Sequence, residues 1–215
     1  MYKKYIKRPL DILCALLAMI VFWWLYLVIA ILVRIWLGSP VLYRQERIGK
    51  NERTFTIYKF CTMNDIRDEA GQLLPDSERL TRLGRFLRST SLDELPEAWN
   101  ILKGDMSVIG PRPLPTLYQP FFSPHERIRH EVRGGLSGLA QVNGRNMITW
   151  EEKFAFDLAY VNNLTFYQDL TILLKTIFKA LKRSDIGIRG VASSAEDFNV
   201  CRQRERKEIC DRSEY

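Results

Sequence analysis

The sequence is poor in the residues that most often build metal centres and nucleophilic triads. Two histidines (His125, His130) and four cysteines (Cys14, Cys61, Cys201, Cys210) are scattered over 215 residues. No paired Cys spacing marks a zinc site or a disulfide framework, and no Ser/His/Asp or Cys/His arrangement can be drawn. Both histidines stand among charges and read as solvated surface residues. No segment matches a P-loop or the G-x-G-x-x-G fingerprint, so ordinary nucleotide hydrolysis and Rossmann redox chemistry find no support. Twelve glycines and nine prolines exclude a fibrous repeat, and 47% hydrophobic residues exclude wholesale disorder. The length suits one domain with a sizeable core and room for an appendage.

The most telling lack is charge within one segment. Ile12 to Val33 are 22 consecutive apolar residues. As a helix they extend about 33 Å, enough to cross a hydrocarbon core of about 30 Å. The length of the run, and the Leu37-Gly38-Ser39-Pro40 that follows, fit no cleavable signal peptide. The chain carries 32 Lys+Arg against 25 Asp+Glu, a net +7, and every one of those charges lies outside this run. Lys3, Lys4, Lys7 and Arg8 precede it; Arg34, Arg44, Arg47, Lys50 and Arg53 follow. Positive flanks favour the cytoplasmic side, so both ends ask for the same side. A re-entrant segment satisfies both, whereas a plain crossing strands one cluster outside. Trp23-Trp24 sit mid-run, an odd place in a spanning helix and less odd at a hairpin tip. A body with nothing exported fits a reducing cytosol.

In the body, Val41-Leu42-Tyr43 and Thr54 to Tyr58 read as short strands joined by a Gly49-Lys50-Asn51 turn. A polar loop covers Asp65 to Asp76. Leu80, Leu83, Phe86 and Leu87 recur at helical spacing between Arg82, Arg85 and Arg88. A second amphipathic stripe runs from Leu170 to Leu181, with Lys175, Lys179, Lys182 and Arg183 on its other face. It reads either as core packing or as a helix lying on anionic lipid. Two Gly-rich loops, Gly104 to Pro115 and Arg133 to Arg145, each hold an arginine (Arg112, Arg145) in a backbone-rich bend suited to phosphate. The tail beyond Glu196 is charged.

Arg88 to Pro96 carries the adjacent carboxylates Asp93 and Glu94. Ser91-x-x-Glu94 has the form of a capping box, with Pro96 near a helix start. A helix N-terminus is also an anion site, where a carboxylate nucleophile could work beside a bound phosphate. Lys59, Arg88 and Arg112 are candidates to spread over its oxygens.

These residues fall in motifs that resemble one family. Tyr58-Lys59-Phe60-x-Thr62-Met63, Arg88-x-x-Ser91-Leu92-Asp93-Glu94-Leu95-Pro96, Asn100-x-Leu102-Lys103-Gly104-Asp105-Met106-Ser107, Gly110-Pro111-Arg112-Pro113 and Gly138-x-Ala140-Gln141-Val142-Asn143-Gly144-Arg145 look like those of the bacterial sugar transferases. These are monotopic phosphoglycosyl transferases that begin lipid-linked glycan assembly. The resemblance runs from Lys7-Arg8 to Lys182-Arg183-Ser184. It is to the minimal form, and most of all to members that transfer phospho-diacetylbacillosamine.

The resemblance implies an α+β, mainly helical fold with three parts. A membrane-embedded re-entrant helix hairpin covers residues 1–37, a cytoplasmic catalytic domain residues 38–190, and a charged tail residues 191–215. A small β-hairpin and amphipathic helices lying at the membrane surface belong to it. It implies that Asp93 attacks the sugar-bearing phosphate of a UDP-sugar, releases UMP and passes the phosphosugar to polyprenyl (undecaprenyl) phosphate. Asp93 and Glu94 are the catalytic pair and the expected Mg²⁺ ligands. Arg112 and Arg145 are expected to contact phosphate and uridine, with Lys59, Arg88, Asp157 and Asp169 as further substrate-binding residues. The implied partners are a UDP-linked acetamido sugar and anionic lipids, with no nucleic acid. The implied location is the cytoplasmic face of a bacterial inner membrane. The chain departs from the family twice: Trp23-Trp24 replace a Ser-Pro pair, and Arg133-Gly134-Gly135 replaces Arg-Pro-Gly. A membrane-anchored basic module binding nucleic acid or lipid is the alternative, and its net charge fits.

Overall fold

A computed structural model describes residues 1–144, 148–182 and 197–204. Residues 7–36 form helix α1 (Lys7–Trp36), preceded by a turn of π-helix at Tyr2–Ile6. At 30 residues α1 is about 45 Å long. With the turn before it, it is long and apolar enough to cross a membrane. The expected two-armed hairpin is therefore corrected to one helix. No proline or glycine interrupts residues 12–33, and Trp23-Trp24 continue the helix.

Only one stripe of α1 is buried. Lys7, Asp11 and Ala15 mark it at one end, Ile29 and Val33 at the other, each at a spacing of four. Ala15 and Met19 pack on Ile57, Ala98, Ile101 and Met106. Ile29 and Val33 pack on Phe60 and Leu87. The other faces expose Leu17, Ile20, Trp23, Trp24 and Ile35. Polar contacts tie the same ends down. Lys7 Nζ and the Tyr2 hydroxyl each donate to Asp169 Oδ2 at 2.6 Å. Arg8 donates to the carbonyls of Ile101 and Leu102, Ser107 Oγ and the Val108 N–H donate to Asp11, and the Tyr26 hydroxyl donates to the Leu95 carbonyl.

The expected hairpin of strands is present and longer than its sequence signal: β1 (Leu42–Ile48) pairs antiparallel with β2 (Thr54–Phe60). Helices α2 (Asp76–Arg79), α3 (Arg82–Thr90) and α4 (Glu97–Lys103) follow. Each Gly-rich loop contains a strand that the sequence did not signal. β3 (Met106–Ile109) runs parallel to β4 (Gly134–Ser137). A Cβ on Gly135 would lie 2.1 Å from the Gly110 nitrogen, so the pair forms only because glycine lets the backbones meet.

Helices α5 (Leu139–Asn143), α6 (Trp150–Asn162) and α7 (Phe166–Lys182) complete the body. α6 opens with a capping box between Thr149 and Glu152. Ile109, Val132, Val142, Tyr160, Val161 and Ile172 form one core. Tyr118, Phe122 and Phe154 form another, into which Phe198 of a short helical stretch at 198–204 is fully buried. Most of the tail lies outside the described residues, and Cys14 and Cys61 are free thiols.

Candidate active site

Asp93 and Glu94 sit on a tight link between two helices. α3 ends where Ser91 enters the left-handed region (φ 58°, ψ 19°). One 3-10 turn, Leu92–Glu94, follows, and α4 begins after Pro96. The expected Ser91-Glu94 capping box is not formed. An N-cap needs an extended backbone, and a left-handed Ser91 does not supply it. The Glu94 carboxylate is taken up elsewhere.

Its Oε1 receives Lys59 Nζ at 2.7 Å and Arg112 Nη2 at 2.6 Å. Lys59 comes from β2, and Arg112 from the bend between Pro111 and Pro113. Lys59 Nζ also lies 3.0 Å from Oε1 of Glu97, in the first turn of α4. Asp93 and Glu94 are 5% and 6% exposed, and Glu97 is fully buried. Desolvation works against the Arg112 charge, but Glu94, Glu97 and Asp93 outweigh it, so its pKa is raised and it stays cationic. Burial, then the Glu94 charge, push the Glu97 carboxyl up to about 7, against the pull of Lys59 and Arg112. Two cations thus stand among three carboxylates at a water-poor site.

Lys59, Glu94 and Arg112, singled out separately in the sequence, form one hydrogen-bonded cluster with Asp93 beside Glu94. Arg88 projects from the last turn of α3, where its Nε donates to Thr62 Oγ1 at 3.0 Å. Arg145 lies outside the described residues. Asp157 and Asp169 occupy interior positions. Asp157 Oδ2 receives Arg129 Nε and Nη2 at 3.0 and 2.7 Å, and Asp169 receives Lys7, Tyr2 and, at 2.7 Å, the Tyr160 hydroxyl.

Sequence reasoning passed over Glu97 and Arg129. Glu97 looked like an ordinary first-turn acid. Its only signal was its spacing of three from Asn100, which puts both on one face. His130 is corrected from solvated to buried: it is 4% exposed, its ring packs edge-on against Phe122, and burial followed by Arg129 and Arg127 lowers its pKa to about 3. His125 is exposed, as expected.

The sequence model described as "Bacterial sugar transferase" matches residues 2–183. The uncharacterized sugar transferase EpsL of Bacillus subtilis is 47% identical over 176 residues, which cover 82% of this chain and 87% of that protein. The UDP-N-acetylgalactosamine-undecaprenyl-phosphate N-acetylgalactosaminephosphotransferase of Aeromonas hydrophila is 39% identical over 80% of this chain, and the match spans 43% of that relative. The UDP-glucose:undecaprenyl-phosphate glucose-1-phosphate transferase of Caulobacter vibrioides is 36% identical, with 80% of this chain and 68% of that protein covered. With the family's sequence model matched over residues 2–183 and a 47% identical relative covered over most of its length, the chain belongs to the bacterial sugar transferases.

Proposed function

We propose that the chain moves a sugar-1-phosphate from a UDP-sugar to membrane polyprenyl phosphate, releases UMP, and so performs the first membrane step of a glycoconjugate pathway. The observation that carries this reading is the buried Asp93-Glu94 turn with Lys59 and Arg112 at Glu94. The names of two relatives describe transfer of this type onto undecaprenyl phosphate. Asp93 is the nucleophile. Its carboxylate oxygen bonds to the sugar-bearing phosphorus, and the bond from that phosphorus to UMP breaks. A polyprenyl phosphate oxygen then bonds to the same phosphorus and expels the Asp93 carboxylate. Dividing the transfer lowers each barrier. Arg112 and Lys59 hold fixed positive charge where the phosphate charge develops.

Mg²⁺ is a proposed partner of the site. Asp93 and Glu94 offer the hard oxygens it takes, but Glu94 Oε1 already holds two cations, so Asp93 is the better fit. Among the described residues no group of three His, Cys, Asp or Glu could hold a metal, so phosphate oxygens and water must complete the shell. When bound, the ion neutralises the diphosphate and steadies the departing UMP.

The chain is placed at the cytoplasmic face of the inner membrane, with α1 dipping into one leaflet from the body's side. Both ends of α1 are tied to the same body, through Lys7 at one and through Ile29 and Val33 at the other, which supports this placement over a plain crossing. The exposed Tyr167, Leu174 and Phe178 support α7 as a helix lying on anionic lipid beside it. An acetamido sugar is the proposed cargo. A lipid-binding module without catalysis leaves the Asp93-Glu94 cluster without a purpose.

The test is UMP release from a panel of UDP-sugars, with Mg²⁺ and polyprenyl phosphate. The parent should be fastest with an acetamido sugar, and Asp93→Asn should release none. An Asp93→Asn protein as fast as the parent would remove Asp93 from its role.

A further inference from the structure

Glu97 stands apart from the other charges of the site. It has no exposed surface, and neither oxygen of its carboxylate makes a hydrogen bond; Oε1 has only the Lys59 ammonium beside it as an ion pair at 3.0 Å. A buried carboxylate so poorly satisfied costs several kcal/mol, and an apolar side chain of similar size would serve α4 better. Packing therefore gives no reason for a glutamate here.

Its setting supplies one. Asn100, one helical turn on and equally buried, staples α4 to the open edge of β2. Its Oδ1 accepts the Tyr58 N–H at 3.2 Å, and its Nδ2 donates to the Thr56 carbonyl at 2.7 Å. That staple brings Glu97 against the residue next to Tyr58, which is Lys59. The Lys59 ammonium then lies 3.0 Å from Glu97 and 2.7 Å from Glu94.

A lysine is a point charge on a four-carbon stem, and a single partner does not fix it. Glu94 is also shared with Arg112, and arriving phosphates would compete for both cations. We propose that Glu97 is a positioning residue that clamps the Lys59 ammonium in place, so that Lys59 stays aimed at the transfer site when Glu94 exchanges partners. This rests on the transfer function proposed above. The clamp is a matter of reach, because a neutral oxygen at the same point serves as well as a charged one.

The test compares Glu97→Gln, which keeps an oxygen at the same reach, with Glu97→Asp, which keeps the charge and withdraws it by one carbon. Both are made in the full chain in lipid vesicles. Acetic anhydride labelling of Lys59, read by mass spectrometry against the exposed Lys3, reports the clamp without substrate. In Glu97→Asp, Lys59 should label faster, and kcat should fall about tenfold or more with little change in KM for the UDP-sugar. In Glu97→Gln, both should stay near the parent. The proposal is overturned if Glu97→Asp matches the parent in labelling and kcat, or if Glu97→Gln loses as much as Glu97→Asp. It is also overturned if every buried lysine labels faster, since that marks a loosened fold. A parent that releases no UMP would sink the transfer function instead, and the labelling alone would then decide the clamp.

Discussion

Arg129 donates from Nη2 to the main-chain carbonyl of Arg112 at 2.8 Å, so an interior arginine holds the backbone of the one that pairs with Glu94. The same guanidinium is locked by Asp157 and lies over the Phe122 and Phe154 rings at 5.9 and 5.7 Å. Donating two N–H groups to one carboxylate oxygen while stacking on the rings needs the planar fork that lysine lacks. Asp157 thus reaches the site at one remove, through Arg129 and then Arg112.

Asp157→Asn should test that remove. It leaves Arg129 buried with half of its partner, at a cost of about 3 kcal/mol in stability. Denaturant melts should show this loss together with slower UMP release. A raised KM for the UDP-sugar at unchanged stability would instead make Asp157 a direct substrate contact.

Glu97 should leave its mark on stability against pH. Its carboxyl ionises near its ordinary 4.5 in the unfolded chain and near 7 in the fold. The protonated fold is therefore favoured, and this contribution, on the order of 3 kcal/mol, is fully present below 4.5 and lost as pH rises through 7. Glu97→Gln cannot ionise. It should melt with the parent near pH 4.5 and above it near pH 8, and a constant gap across that range would contradict the shift.

Gly84→Ala should be among the most damaging small substitutions. The added Cβ would lie 1.8 Å from the Thr62 carbonyl oxygen, so α3 would have to move off the segment after β2. Overpacking of this kind costs about 1–3 kcal/mol or more. Because Thr62 also accepts from Arg88, activity should fall with the melting temperature. A parent-like melt would mean that the two segments separate easily.

Topology is open to a labelling experiment in intact cells. Single cysteines at Tyr2 and Trp36, in a chain without its native cysteines, should both be reached only from the cytoplasm. Labelling of either from outside would make α1 a plain crossing.

The sequence carried a good part of this architecture. The charge-free run, the strands around a Gly49 turn and the stripe of α7 were visible because each rests on local periodicity. The convergence of Lys59, Asp93, Glu94 and Arg112 was visible only through their chemistry and through motif resemblance, not through any local pattern, since they lie on separate elements. Arg129 and His130 could not be told from surface charges. Their burial depends on Phe122 and on Asp157, 28 residues beyond Arg129, and no local pattern announces that. The four-residue strands β3 and β4 are too short to alternate, and their glycines read as loop. Ser91 suits a cap in composition, and only its backbone angle shows that it ends a helix instead.

Helix α1 faces lipid on one side and forms a wall of the catalytic body on the other. Trimming it to obtain a soluble enzyme would strip Ala15 from Ala98 and Ile101, and Val33 from Phe60 and Leu87. It would also remove the arginine that holds the last carbonyls of α4, the helix that begins with Glu97. A borrowed anchor could restore attachment to the membrane but not these contacts. For this enzyme, residence in the bilayer and a working fold are inherited as one trait.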